Sequence, residues 1–371
     1  MHSALFAKTT ICLNMIVKNE SHIITKCLDS VKPIIDYWVI VDTGSTDGTQ
    51  ALIREYLKEI PGELHERVWQ DFATNRNQAL ELARGKADFL LIMDADDWLA
   101  YDDDFKLPDF THDGYQIKFF HSSGSFYKHL LVRLDLPWYW SDVLHEYLTI
   151  HQPIQSTILD RVHYMVGACG SSYSDPEKYA NHVHILEEAL KKEPTNCRYM
   201  FYLADSYRCM GDNNKAIHYY NKRVAMGGDK EGIYLSLLHI AQLLDTEQAN
   251  LEDVINSYYR AFRFFPHRSE ALYYLAQLYN KIGRHDLAYA LIKTKIYITQ
   301  PTDKENAFRE EWTENWGLFF QLIASACKLK RYQEAFVLSG YLLKRNDIPD
   351  LYHAQISTYH QTAKENQLIK S

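Results

Sequence analysis

The chain predicts an α/β domain followed by an all-α solenoid, and three observations carry that prediction. Apolar runs at residues 11–16, 37–41 and 89–93 each open into a polar loop, and helical stretches separate them. Beyond residue 175 the texture turns helical, and the pattern Ala-x-x-Tyr-x-x-x-Gly recurs. Hydrophobic residues fill 46% of the 371 positions, which supports more than one packed core and argues against disorder.

The elements follow in order. Ile11-Cys12-Leu13-Asn14-Met15-Ile16 reads as a buried strand leading into Lys18-Asn19-Glu20. A helix over 21–31 places Ile23, Ile24, Cys27, Leu28 and Val31 on one face, with Asn19 or Ser21 as cap and Pro33 beyond its end. The second strand, 37–41, runs into Asp42-Thr43-Gly44-Ser45-Thr46-Asp47-Gly48-Thr49. A helix from about 47 to 60 carries Leu52, Ile53, Tyr56, Leu57 and Ile60 before Pro61-Gly62 turns the chain. A short strand at 64–68 precedes Trp69-Gln70-Asp71-Phe72. A third helix carries Arg76 to its close at Arg84-Gly85, and the third strand ends in Asp94-Ala95-Asp96-Asp97.

The order β-α-β-α-β implies parallel neighbours, and ligands of open α/β sheets bind beyond the carboxyl ends of the strands. Asp94-x-Asp96 stands at that edge. Two carboxylates one residue apart suit a hard divalent cation, Mn²⁺ or Mg²⁺, whose shell substrate phosphates usually complete. Asp97 and the run Asp102-Asp103-Asp104 read as a solvated acidic loop.

Short β-like runs at 115–120, 130–134 and 157–162 complete this domain and enclose Trp138, Trp140, His145 and Glu146. Residues 167–174 read as a linker. The helical part then repeats: Ala204-x-x-Tyr207-x-x-x-Gly211 with Ala216 returns as Ala276-x-x-Tyr279-x-x-x-Gly283 with Ala288. Ala241, Leu244 and Val254 form a degenerate copy between them, and Leu329 to Ala335 a last one. The spacings from Ala204 to Ala241 to Ala276 are 37 and 35 residues. Helical pairs of this period, with small residues where helices cross and Gly in the turn, carry the tetratricopeptide signature. The expected domains are 1–170, 175–350 and a C-terminal tail at 351–371.

Charge and composition narrow the function. A formal net charge of −8 gives no basic footprint for nucleic acid. No apolar run reaches the roughly 18 residues a membrane span needs. Residues 1–10 lack a signal-peptide pattern, and the six scattered cysteines suit a reducing compartment, so a cytoplasmic protein is expected.

The segments Met15-Ile16-Val17-Lys18-Asn19-Glu20, Val41 to Thr49, Asp71-Phe72-Ala73-Thr74-Asn75-Arg76-Asn77, Asp94 to Asp97, Val143-Leu144-His145-Glu146 and Phe201 to Tyr207 together resemble glycosyltransferase family two. The subset is the one with a Rossmann-like GT-A domain and appended tetratricopeptide repeats. The resemblance implies metal-dependent transfer of a sugar from a nucleotide-sugar donor, UDP-linked by expectation, to a glycan or a protein or peptide acceptor, with inversion. It implies Asn19, Glu20, Asp42, Arg76 and Asp94 around the nucleotide. Asp96 and Asp94 would hold the metal, with His145 or His163 completing its shell, and Glu146 would act as general base. His-Glu stands where the simpler family pattern has Glu-Asp. The repeats would hold the acceptor or form a homodimer. Two rivals are a repeat scaffold with an inactive transferase domain and a sugar nucleotidyltransferase. The latter needs a glycine-rich basic loop after the first strand, and Lys18-Asn19-Glu20-Ser21 has no glycine.

Overall fold

The structure, a computed structural model, describes residues 8–121, 124–167, 177–297 and 310–368. The chain divides into two compact units, Met1–Lys192 and Glu193–Ser371. Beyond Gly167, the linker expected at 167–174 lies outside the described residues.

The first unit is built on β1 (Ile11–Val17), α1 (Ile24–Val31), β2 (Tyr37–Asp42), α2 (Thr49–Tyr56), β3 (Gly62–Glu66), α3 (Phe72–Ala83) and β4 (Phe89–Ile92). There follow β5 (Trp98–Tyr101), β6 (Gly114–His121), β7 (Gly124–Arg133), β8 (Tyr139–Ser141), β9 (Tyr147–Thr149), β10 (Ser156–Met165) and α4 (Lys178–Lys192). Eight strands form one sheet in the order β3-β2-β1-β4-β7-β6-β10-β5, and β8 pairs with β9. The expected parallel neighbours are present: β1 lies between β2 and β4, with Ile16 opposite Val41 and Leu13 opposite Leu91. Apart from the half-buried Ile16 and Tyr37 their apolar residues are buried, as a parallel strand covered on both faces requires. β7 joins β4 antiparallel, and β10 runs parallel to β6. The chain builds outward from β1 through β2 to β3, then returns to place β4 on the other side. That reversal sets a ligand crevice at the ends of β1 and β4.

The helices are shorter than their apolar periodicity suggests, because residues 21–23 form turns and α2 ends at Tyr56. The strand expected at 64–68 starts earlier, at Gly62. A side chain there would run into the Trp38 ring, so glycine lets β3 close onto β2.

The second unit holds α5 (Cys197–Cys209), α6 (Asn213–Met226), α7 (Lys230–Thr246), α8 (Leu251–Phe264), α9 (Glu270–Lys281) and α10 (His285–Tyr297). A π-helical turn at Thr313–Gly317 leads into α11 (Leu318–Lys328), α12 (Tyr332–Leu342) and α13 (Asp350–Leu368). Successive helices pack as antiparallel pairs. Ala204, Ala216, Ala241, Ala276, Ala288 and Ala335 are all buried where helices cross. The turn residue is left-handed between α5 and α6, α7 and α8, α9 and α10, and α11 and α12: Gly211 (φ 79°), Gln248 (φ 53°), Gly283 (φ 78°) and Lys330 (φ 60°). The stretch read as a tail is instead a helix through Leu368, with Ile356 and Ala363 buried against its neighbours. Few apolar residues mark that face, which is why its periodicity is faint.

Candidate active site

Two loops at the ends of β1 and β2 are stitched together by side-chain to backbone hydrogen bonds. Asp42 is 1% exposed, and its Oδ1 accepts from the N–H groups of Gly44 (2.9 Å) and Ser45 (2.8 Å). This is an Asx turn, and Gly44 at φ 110° permits it. Asn19, itself left-handed at φ 57°, accepts from the Thr46 N–H at 2.8 Å, while its own N–H donates to Ser45 Oγ. The Glu20 and Ser21 N–H groups donate to Thr49 Oγ1 and Asp47 Oδ2. Asn19 and Glu20 thus border the cleft on a rigid double loop. The second oxygen of Asp42, Oδ2, is buried without a hydrogen-bond partner.

The segment Asp71–Asn77 explains itself residue by residue. Asp71 caps α3 by accepting from the Thr74 N–H. Asn75 folds the preceding loop back, accepting from the Gln70 N–H and donating to the Val68 carbonyl. That loop carries Trp69, which packs edge-on against Phe72 at the cleft mouth. Asn77 exchanges two hydrogen bonds with the backbone of Trp140 and so fixes β8. Arg76 is buried between two carboxylates. Its Nε donates to Glu146 Oε1 at 2.8 Å and an Nη2 to Asp94 Oδ1 at 2.5 Å, with the guanidinium 4.9 Å from the Trp140 ring centre. Burial opposes its charge, but Asp94 and Glu146 outweigh that and hold its pKa above the ordinary value.

These elements enclose a cleft of about 890 Å³. Following the strand order, Asn19, Glu20 and Thr43 border it past β1 and β2, Asp94 and Asp96 past β4, and Lys128, Phe126 and Phe119 on β7 and β6; Arg76 and His145 line it as well. Asp94 is held at its backbone as well, where its N–H donates to the Tyr164 hydroxyl at 3.1 Å. Asp97 departs from the expectation of a solvated loop. It is 6% exposed and accepts from the Gly167 N–H at 2.8 Å. Desolvation, then the charge of Asp94, raises its pKa to about 7. Gly167 fits because the Asp96 carbonyl lies where its side chain would begin. Asp102, Asp103 and Asp104 are exposed, as expected.

Of the residues expected at the site, Asn19, Glu20, Arg76, Asp94, Asp96 and His145 share the cleft, and Asp42 lies beneath its edge beside Thr43. Glu146 faces Arg76 and is not part of the wall. His145, at φ 54°, is part of it. His163 is not brought there. Side chains alternate along β10, so Tyr164 is buried beneath Asp94 and Phe119 while His163 bonds Asp102 at 3.2 Å and abuts Phe120. Among the described residues no three His, Cys, Asp or Glu side chains converge into a metal site. Lys128 and Gly167 were not singled out from the sequence. Alternation of Lys128 with Phe126 and Leu130 was the available signal for the first; nothing local marks the second.

Residues 12–156 match the family described as glycosyl transferase family 2. The SPbeta prophage-derived glycosyltransferase SunS of Bacillus subtilis (strain 168) is 25% identical over 236 residues, which cover 58% of this chain and 53% of SunS. A TPR repeat-containing protein of Synechococcus elongatus is 38% identical over 96 residues, 26% of this chain and 22% of that protein. The chain therefore spans about half or less of the curated relatives it matches. Among solved structures, a tetratricopeptide repeat protein from Parabacteroides merdae aligns with 53% of this chain and 73% of its own, at 18% identity and a TM-score of 0.38.

Proposed function

Residues 12–156 form a glycosyl transferase family 2 domain, and from that premise we propose that the protein is a metal-dependent inverting glycosyltransferase using a nucleoside-diphosphate sugar. The observation that carries this reading is the convergence of Asp94, Asp96 and Arg76 in one cleft where the sheet reverses its strand order. The unmatched Asp42 Oδ2 supports the nucleoside end. A buried acceptor without a donor costs stability until a ligand supplies an N–H, and uracil has one in its ring. UDP is therefore the proposed leaving group.

The donor set fits Mn²⁺ or Mg²⁺, which commonly take one or two protein carboxylates and complete their shell with phosphates. Asp96 and the outer oxygen of Asp94 are those carboxylates, since Arg76 occupies Asp94 Oδ1. When bound, such an ion neutralises charge growing on the departing diphosphate. Arg76 orients Asp94. An acceptor N–H, O–H or S–H attacks the anomeric carbon as its bond to the phosphate oxygen breaks. The electron pair leaves with the diphosphate, and the acceptor proton passes to the protein.

The loop 142–146 divides the role the sequence gives to Glu146. Glu146 steadies Arg76, and His145, which borders the cleft, takes the proton. The solenoid is proposed to hold a glycan or polypeptide acceptor, or a second copy of the chain, on the extended surface that stacked repeats present. Among the described residues no helix is long and apolar enough to cross a membrane; a cytoplasmic site of action is part of the proposal.

Heating with UDP tests the reading. A ligand that binds only the folded state raises the melting temperature. UDP with Mn²⁺ should do so, and UDP with chelator should do so less. Equal protection with and without metal would remove metal dependence, and no protection by UDP or GDP would remove the transferase reading.

A further inference from the structure

Resting on that reading, we propose that Lys128 is the protein cation that receives the sugar-bearing phosphate of the donor and stabilises it as it leaves. Carboxylates dominate the cleft: Glu20, Asp94, Asp96 and Asp97 all border it. A diphosphate entering there meets repulsion unless cations offset it. Lys18 borders the cleft beside Asn19, past the end of β1, and Arg76 is already engaged by Asp94 and Glu146. Lys128 is differently placed. The residue borders the cleft with its ammonium against two rings, Phe119 at 4.7 Å and Phe126 at 5.4 Å, and burial there opposes its charge while Asp94, Glu146 and Asp97 favour it without an ion pair among the described residues.

Its place in the sheet identifies which phosphate it meets. The strand order β2-β1-β4-β7 sets Asp42, Asn19, Asp94 and Lys128 in sequence across the sheet. A nucleotide with its base at Asp42 and its diphosphate at Asp94 directs its far end toward β7. That end carries the phosphate bonded to the sugar. The floor there is aromatic: Phe119 stacks on Tyr164 at 4.0 Å and on Phe126 at 5.2 Å. Such a floor offers the ammonium no hydrogen-bond acceptor of its own and keeps water off one side, so an arriving oxygen anion is its strongest partner. As the anomeric C–O bond breaks, charge builds on that oxygen. An ammonium waiting there gains more in the transition state than with the intact donor.

Lys128→Gln and Lys128→Arg test this against UDP and UMP, with GDP and GMP run in parallel, by calorimetry at fixed Mn²⁺. Lys128→Gln should weaken the diphosphate by roughly tenfold, the loss of one charge-assisted hydrogen bond, while UMP affinity stays unchanged. It should also slow release of diphosphate from the sugar nucleotide, and Lys128→Arg should restore much of both. Equal weakening of UDP and UMP, or of neither, overturns the proposal while leaving the transferase reading intact. A parent protein that binds neither UDP nor GDP overturns that reading, and the proposal with it. Melting curves of both variants matching the parent exclude misfolding as the cause of any loss.

Discussion

Two buried arginines, one in each unit, put the same group to different use. In the solenoid Arg268 is 2% exposed and Glu270 1%, and the pair is closed on every side. Arg268 donates to Glu270 through Nε and Nη2 and to Glu231 through Nη1. Glu270 also accepts from the Tyr234 hydroxyl and the Glu310 N–H. In the first unit Arg76 is held as firmly by Asp94 and Glu146, but Asp94 is 45% exposed and faces a cavity. A charge whose partners are all protein is a brace. One whose partners keep a free side is available to a ligand. Burial alone does not separate the two; completeness of the partner set does.

The sharpest test of that contrast removes a carboxylate that borders the cleft. Asp96→Ala should abolish metal-dependent turnover of sugar nucleotide and leave the melting temperature within a degree or so, because the residue completes a ligand site and not a core. Full turnover at low metal would place the metal elsewhere. Next comes the loop opposite. His145→Ala should lower kcat by roughly 10²–10⁴-fold with donor KM little changed, as expected for loss of a proton acceptor. Glu146→Gln should instead raise the donor KM, since Arg76 loses an anchor. If Glu146→Gln lowers kcat alone, the two residues exchange roles.

In the closed set the effect should appear in stability. Arg268→Ala leaves the Glu270 carboxylate buried without its cation and should destabilise the second unit by about 3–5 kcal/mol in urea unfolding. UDP affinity should be unchanged, so a parallel loss of UDP binding would show that the units do not act separately.

A smaller effect depends on pH. His239 lies at the solenoid's Tyr220 and Asp205, and burial, then the charge of Arg208, lowers its pKa to about 4 despite Asp205. The unfolded chain binds a proton near pH 6.5 and the folded one does not. Stability is therefore complete above that pH and falls as pH drops toward 4. Asp205, its own pKa lowered, acts in the same direction at lower pH. His239→Gln should flatten the melting temperature between pH 6.5 and 4. The smallest change is at the turns: Gln248→Gly relieves a left-handed side chain and should raise stability by up to about 1 kcal/mol.

The two units were not equally legible. The strands carrying Asp42 and Asp94 announced themselves because parallel strands are apolar on both faces, and α3 because Arg84-Gly85 closes it; its Asp71 cap emerged only in the structure. The segments 98–101 and 124–129 did not: β5 has four residues and pairs with β10 far along the chain, and the β6–β7 register shifts at Tyr115/Gln116. Asp97 looked solvated because four acidic residues crowd Asp94 to Asp102, yet its neighbour is Gly167, far along the chain. In the solenoid the 37- and 35-residue spacings were plain. Gln248 and Lys330 hid two turns by taking the conformation that Gly211 and Gly283 adopt more easily. Glu146 was found as a residue but not as a partner, because no pattern in sequence links it to Arg76.

The contacts that finish the cleft share one number. Arg76 to Glu146, Asp94 to Tyr164 and Asp97 to Gly167 each span 70 positions. Loops of that length close late, after local helices and neighbouring strands have formed. As the chain leaves the ribosome, β1 to β4 can collapse into a sheet while the acidic edge still lacks its arginine's second anchor, its tyrosine and its glycine. The complete cleft therefore comes into being only when β10 and Gly167 have emerged. A nascent chain shorter than that has the acidic motif but cannot yet present it.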